Sequence, residues 1–282
     1  MFQFIFSRLP LTRIKLFCAR IAYLFIRIFI RTNHIQVSRD NIHYMLDLSE
    51  GIDLSIFMFG SYQSHIFKNT YYKIPEDAVI FDIGASMGCM TLQFARAASN
   101  GHAFAFEPAD FAYKKLLKNI DLNPGLKPRI TPVKRFASEK TMAAPHLFAI
   151  ASWRTDCLNS KGHPVHGGVQ RNTSLASSVT LDDFCRENEI KKVTLIKIDT
   201  EGHELSVIKG ARQILTQYKP VIIFEVGKYM LDEQKIKFVE FYDILNDCGY
   251  RLFALQNGSK ITRENYSDII PKRSTIDIIA IP

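Results

Sequence analysis

The chain has 282 residues, 47% of them hydrophobic and 23% charged, with 14 Gly and 11 Pro. That is enough to bury the core of one large α/β domain or two smaller ones, and it excludes disordered, collagen-like and small disulfide-stapled classes. The formal net charge is +8, but six of the 36 basic residues (Arg8, Arg13, Lys15, Arg20, Arg27, Arg31) lie in residues 1–32, where there is no acid; the remainder sets 30 bases against 28 acids and lacks the basic excess of a nucleic-acid binder.

Residues 1–32 are an apolar, basic segment. From Leu11 onward Ile14, Phe17, Ile21, Leu24 and Ile28 recur at helical spacing, and Arg13, Arg20 and Arg27 form a stripe seven residues apart. No charge-free run is long enough for a secretory signal, and Arg20 and Arg27 would be costly at the centre of a spanning helix. The expectation is a helix lying on an anionic membrane surface, with packing against the domain or a second subunit, or a signal anchor, as alternatives. The five cysteines (Cys18, Cys89, Cys157, Cys185, Cys248) are odd in number and never in C-x-x-C spacing. They point to reduced thiols in a cytoplasmic protein, peripheral on the membrane if the segment binds there. Oligomeric state is left open.

Residues 33–76 read as lead-in strands or a hairpin, from the short runs at 42–47 and 52–59. The main domain is expected over 77–282. Strands are predicted at 79–83, 102–107, 130–136, 193–199, 220–226, 250–255 and 276–281, and helices at 88–98, 110–122, 203–217 and 233–247. Thr180 with Asp183 resembles a capping box opening one more short helix. The stretch at about 140–178 is irregular and reads as an insertion or lid around His163, His166, Gly167 and Gly168. This alternation implies a mostly parallel sheet covered on both faces, with ligands beyond the carboxyl ends of the strands.

Three strand ends carry chemistry. The first is Asp82-Ile83-Gly84-Ala85-Ser86-Met87-Gly88, a glycine-rich strand-to-helix turn. Glycine there lets a ligand approach the backbone, and the helix start favours a carboxylate or phosphate. Asp82 favours a ligand that also brings an amine, as the methionyl part of S-adenosylmethionine does. A dinucleotide site would prefer G-x-G-x-x-G, and the middle glycine is missing. The second is Glu107-Pro108, whose carboxylate can accept both hydroxyls of a ribose. The third gathers Asp199, Glu201, Glu204 and Glu225 at two neighbouring strand ends. Glu204 reads as an acid favoured by a helix start.

Phe81-Asp82-Ile83-Gly84-Ala85 with Gly88, Ala105-Phe106-Glu107-Pro108, Thr180-Leu181-Asp182-Asp183, Ile196-Lys197-Ile198-Asp199-x-Glu201-Gly202-x-Glu204 and Lys219-Pro220 closing on Glu225 together resemble the FkbM family of S-adenosylmethionine-dependent methyltransferases, over about residues 57–228. Gly60-Ser61-Tyr62 resembles the family's segment ahead of the core, with Gln63 where Glu often follows, and Ser86 replaces the more usual Asn. The resemblance implies a Rossmann-like, doubly wound methyltransferase sheet behind an N-terminal helical extension. It implies S-adenosylmethionine as donor and O-methylation of a hydroxyl on a glycan, lipid-linked sugar or secondary metabolite.

On this reading Asp82, Gly84, Ala85, Ser86, Gly88, Glu107 and Pro108 hold the donor. Asp199 and Glu201 position or deprotonate the acceptor, with His203 as an alternate base. A divalent metal on Asp199, Glu201 and Glu225 is conceivable from their oxygen chemistry, but none is predicted. The rival readings are a membrane-tethered nucleoside-binding protein without chemistry and a nicotinamide-dependent enzyme.

Overall fold

The computed structural model describes residues 12–143, 145, 149–151, 169–171, 173 and 176–282. Helix α1 (Thr12–Phe29) leads into a hairpin of β1 (His34–Arg39) and β2 (Ile42–Asp47). The hairpin turns on Asp40 and Asn41, both left-handed at φ 49° and 61°, as a two-residue loop matched to strand twist requires. Next comes α2 (Gly51–Phe59), so the expectation of a strand at 52–59 is corrected. A short all-apolar run carries no decisive period. Packing of Leu54 with Ala19, Tyr23 and Leu48, and a left-handed cap at Gly60 whose N–H returns to Ile56, make it helical.

The body then alternates: β3 (Val79–Ile83), α3 (Cys89–Ala97), β4 (His102–Phe106), α4 (Asp110–Asp121), β5 (Ile130–Val133), β6 (Phe136–Ala137), β7 (Ala149–Ala151), β8 (Val169–Arg171), β9 (Ser178–Val179) and α5 (Leu181–Glu187). It continues with β10 (Leu195–Ile198), α6 (Glu204–Lys209), α7 (Arg212–Gln217), β11 (Val221–Val226), α8 (Lys228–Gln234), α9 (Phe238–Asp247), β12 (Arg251–Ala254), β13 (Lys260–Ile261), α10 (Tyr266–Ile269) and β14 (Ile276–Ile281). The single helix expected at 203–217 is therefore two, parted at Gly210, where a Cβ would strike the Ser138 carbonyl. The helix expected at 233–247 is likewise two, broken by a left-handed Lys235. Thr180 accepts the amide of Asp183 at the start of α5, as its spacing predicts. The His163–Gly168 lid reading lies outside the described residues.

Eight strands form one sheet in the order β13-β12-β14-β11-β10-β3-β4-β5. β3, β4, β5, β10 and β11 run parallel, while β14 inserts antiparallel between β11 and β12. This is the mostly parallel, Rossmann-like α/β fold. Phe81, Phe106, Phe184, Phe224, Phe238 and Phe241 anchor its largest buried cluster. The chain leaves β3 toward β4 on one side, and β10 lies on the other. That reversal opens a crevice at the carboxyl ends of the strands.

The hairpin edge is closed by side chains from the end of α4 and just beyond it. The Asn123 carbonyl oxygen accepts the His43 amide at 2.9 Å and that of Asn119 accepts the Met45 amide at 2.8 Å. Asn119 Nδ2 also donates to the Met87 carbonyl at 2.9 Å, tying the hairpin to the turn after β3.

Candidate functional site

A cavity of about 380 Å³ occupies this crevice, within the range usual for small-molecule sites. Its wall takes Gly84, Ala85, Ser86 and Met87 from the turn after β3, Glu107 and Pro108 from the end of β4, and Arg135 to Ser138 beyond β5. From the other side come Lys197, Asp199, Thr200, Glu201, His203 and Glu225; Leu54, Met58 and Tyr62 cover it from the N-terminal part of the chain. Asp82 and Gly88 stand behind the wall, so of the ten site residues expected from sequence the other eight line one cavity.

The turn after β3 is held by backbone rather than by open space for a ligand. The amides of Gly84 and Ala85 donate to the Phe106 carbonyl at 3.0 and 2.9 Å. Gly84 sits at φ 81°, and a Cβ there would overlap the Asp199 carbonyl, so glycine is required by the close passage of two strand ends. At Gly88, φ 87°, the missing Cβ makes room for Leu116. The glycines therefore bring strand and helix ends together, and residues 84–87 line the cavity.

Glu107 is 6% exposed. Ser86 N donates to its Oε2 and Ala109 N to its Oε1, each at 2.8 Å. Burial pushes its carboxyl up to about 7, against the lowering effect of those two amides. Each oxygen still has lone-pair capacity directed at a further donor.

Asp82 is fully buried and accepts from Thr91 Oγ1 at 2.5 Å. Strand register sets it level with Lys197 of β10, whose ammonium lies 3.9 Å from its other oxygen. Lys197 also donates to Asp199 Oδ2 at 3.0 Å, and Gln63 Nε2 donates to the same oxygen at 3.0 Å. Burial works against the Lys197 charge, but Asp199 and Asp82 outweigh it and keep the amine protonated. Burial would likewise raise Asp199; Lys197 and Gln63 outweigh it and hold that carboxyl below the usual range.

Asp199, Glu201 and Glu225 converge so that one oxygen from each lies within 4.8 Å of the others, a set that could hold a hard cation. Burial, then the charges of Asp199 and Glu204, push Glu201 up to about 8. Burial with Asp199 and Glu201 pushes Glu225 far above the carboxylate range, although Thr275 Oγ1 donates to it. Burial and these same acids raise the Tyr62 hydroxyl.

Glu201 is left-handed at φ 55°, and Glu204 holds the turn that carries it. Its carboxylate accepts from the Thr200 amide and hydroxyl at 2.9 Å each and from the Gly202 amide at 3.1 Å. Glu204 is thus a bracket for the Asp199–Gly202 turn as well as a helix-start acid. His203 is the N-cap of α6. Tyr62, Gln63 and the role of Lys197 had no assignment from sequence. For Lys197 a signal existed, since a lone lysine inside the buried strand Leu195-Ile196-Lys197-Ile198 needs a counter-charge.

Comparison with known proteins agrees with this geometry. The model of the methyltransferase FkbM domain matches residues 82–252, more than half of the chain. The chain belongs to the FkbM methyltransferase family. Among its relatives are the hexuronic acid methyltransferase AglP of Haloferax volcanii, 26% identical over 153 residues, and Methyltransferase 1 of Beauveria bassiana, 29% identical over 147. These matches take 52% and 48% of this chain and 56% and 59% of the relatives, so the chain spans just over half the length of each. The crystal structure of methyltransferase FkbM from Methylobacillus flagellatus shares the fold, with a TM-score of 0.52 at 18% identity, over 78% of this chain and 48% of that one.

Proposed function

We propose that the chain transfers a methyl group from S-adenosylmethionine to a hydroxyl of a glycan, lipid-linked sugar or similar metabolite. The observation that carries this reading is a single cavity at the sheet's switch point that joins a nucleoside-type acid, Glu107, to the Asp199–Glu201–Glu225 cluster. Family membership supports the reaction class, and a relative named for hexuronic acid supports a sugar-like acceptor.

When bound, S-adenosylmethionine supplies an electrophilic methyl on a positively charged sulfur. Glu107 accepts the ribose hydroxyls, and Pro108, Ala109 and Phe136 offer an apolar wall to a purine. The backbone of residues 84–86 lines the methionyl end. Asp82, behind the wall, acts through Lys197, whose position sets that of Asp199. The acceptor oxygen must lie in line with the sulfur–methyl bond and lose its proton as the oxygen–carbon bond forms. Glu201 is the base, because a proton affinity near 8 suits removal of a hydroxyl proton near neutral pH, whereas Asp199 is held too acidic and serves to orient. His203 lines the same cavity as the alternate base. Lys197 already supplies a cation beside Asp199, so this reading needs no metal.

The test pairs calorimetry of S-adenosylmethionine binding with label transfer to a panel of uronic acids, neutral glycans and lipid-linked sugars. Glu201→Gln should lower turnover by about 100-fold or more while changing donor affinity by less than about threefold. Equal losses of both would put Glu201 in the donor pocket. Donor binding without transfer to any acceptor would favour a binding protein, and nicotinamide binding in its place would favour the oxidoreductase reading. Chelation by EDTA should leave turnover unchanged, and inhibition reversed by magnesium or manganese would overturn the metal-free reading.

A further inference from the structure

We infer that the outward face of α1 is a docking surface for an anionic lipid bilayer. The helix has two apolar faces. Ala19, Tyr23, Ile26 and Ile30 pack against Leu48, Leu54, Ile35 and Phe57. The other face carries Ile21, Leu24, Phe25, Ile28 and Phe29 at positions i, i+3, i+4, i+7 and i+8, between 52% and 73% exposed. Five large side chains in one stripe make a patch of several hundred Å², more than a monomer's surface usually leaves bare.

The identity of the occupant follows from charge. Arg27 lies on the border of that stripe and the exposed Arg31 follows it, while no carboxylate occurs in residues 12–39. A second copy docked face to face about a twofold axis would bring Arg27 and Arg31 of both copies together with no acid of residues 12–39 to pair them. A nucleic acid would pair the arginines and leave the five apolar side chains in water. An anionic bilayer answers both features, since apolar side chains enter the acyl boundary while arginines stay among the headgroups. Among the described residues no helix is long and apolar enough to cross a membrane. Ala19, on the packed side of the same helix, borders the cavity, so the docked face and the cleft share one element. The inference does not depend on methyl transfer.

The experiment is vesicle flotation of the full chain, with phosphatidylcholine alone and with a third of phosphatidylglycerol added, at low and high salt. Binding is expected to need phosphatidylglycerol and to weaken with salt. Arg27→Ser with Arg31→Ser should lower affinity for anionic vesicles roughly 10- to 30-fold, taking about fivefold for each arginine. Phe25→Ser with Phe29→Ser should lower it about 100-fold or more. All four side chains lie outside the packed core, so near-ultraviolet circular dichroism and the urea midpoint should match the parent chain. If one pair disturbs folding, the other still decides. Equal flotation with neutral and anionic lipid, none with either, or no response to the serine pairs would overturn the inference. A concentration-dependent dimer without lipid, abolished by Phe25→Ser with Phe29→Ser, would instead give the face to a second copy.

Discussion

On either side of β3 the same cavity holds carboxylates by different means. Toward β4, Glu107 has one backbone amide on each oxygen, supplied by turns that the sheet already positions. Toward β10 and β11, Asp199, Glu201 and Glu225 crowd together and rely on side chains, chiefly Lys197, Gln63 and Thr275. The first arrangement fixes both carboxylate oxygens by backbone donors. In the second, burial raises each acid and the neighbouring charges then move them apart, Lys197 and Gln63 holding Asp199 low while the other acids push Glu201 and Glu225 further up. Two kinds of acid, one backed by main chain and the other by side chains, are thus held within one cleft.

The sharpest way to break this contrast is at the seam between the two sides. Gly84→Ala would drive a methyl into the Asp199 carbonyl at a left-handed position, and should cost about 4 kcal/mol or more in urea unfolding, or prevent soluble expression. Lys197→Met comes next. It strands Asp82 and Asp199 without their cation, and removing one partner of a buried ionic group costs about 3 to 5 kcal/mol. A loss below about 1 kcal/mol would mean that these acids fold neutral.

Glu107→Gln isolates the β4 side. It should weaken S-adenosylmethionine binding by roughly 10- to 150-fold in calorimetry, the loss of about 1.5 to 3 kcal/mol for a charged hydrogen-bonding group, and should cost about 1 to 3 kcal/mol in unfolding, because the Gln NH2 would face one of the two backbone amides that the carboxylate accepts. Unchanged affinity would remove Glu107 from the donor site.

The smallest effect is a slope. Glu107 and Glu201 have folded proton affinities of about 7 and about 8, above the 4.5 of an ordinary glutamate. The folded state therefore binds more protons than the unfolded one between about pH 4.5 and 8, and stability should fall as pH rises through that window. Asp199 acts oppositely, being held low, so its contribution is lost only in acid below its ordinary range. Urea midpoints measured from pH 5 to 8 should fall, and Glu201→Gln should flatten the upper part of the curve. An unchanged slope in that variant would mean that Glu201 is ionised throughout.

The parts of the molecule legible in sequence are those where a local pattern has one structural outcome. Val79-Ile80-Phe81-Asp82-Ile83 followed by a glycine turn predicts a buried parallel strand and a switch point, and Thr180 with Asp183 marks a helix start. The run Ile52–Phe59 has no such uniqueness, and its helix depends on packing with Ala19 and Tyr23 from distant sequence. Asp82 was expected against a ligand amine because it ends a strand. It is instead fully buried, level with Lys197 of β10 across the sheet, a matter of register. Gln63 reaches Asp199 across 136 residues of sequence, a contact that no spacing rule could contain.

Sequence by itself therefore determined the alternation of strands and helices, the mostly parallel sheet, the end of the sheet where the cavity opens and the chemical types available there. These follow from period, turn residues and the direction of the strands, which are local quantities. Only the tertiary structure decided which acids reach the cavity, which are screened behind it and how strongly each holds its proton. Burial and the distance between charges arise when segments far apart in the chain are packed together.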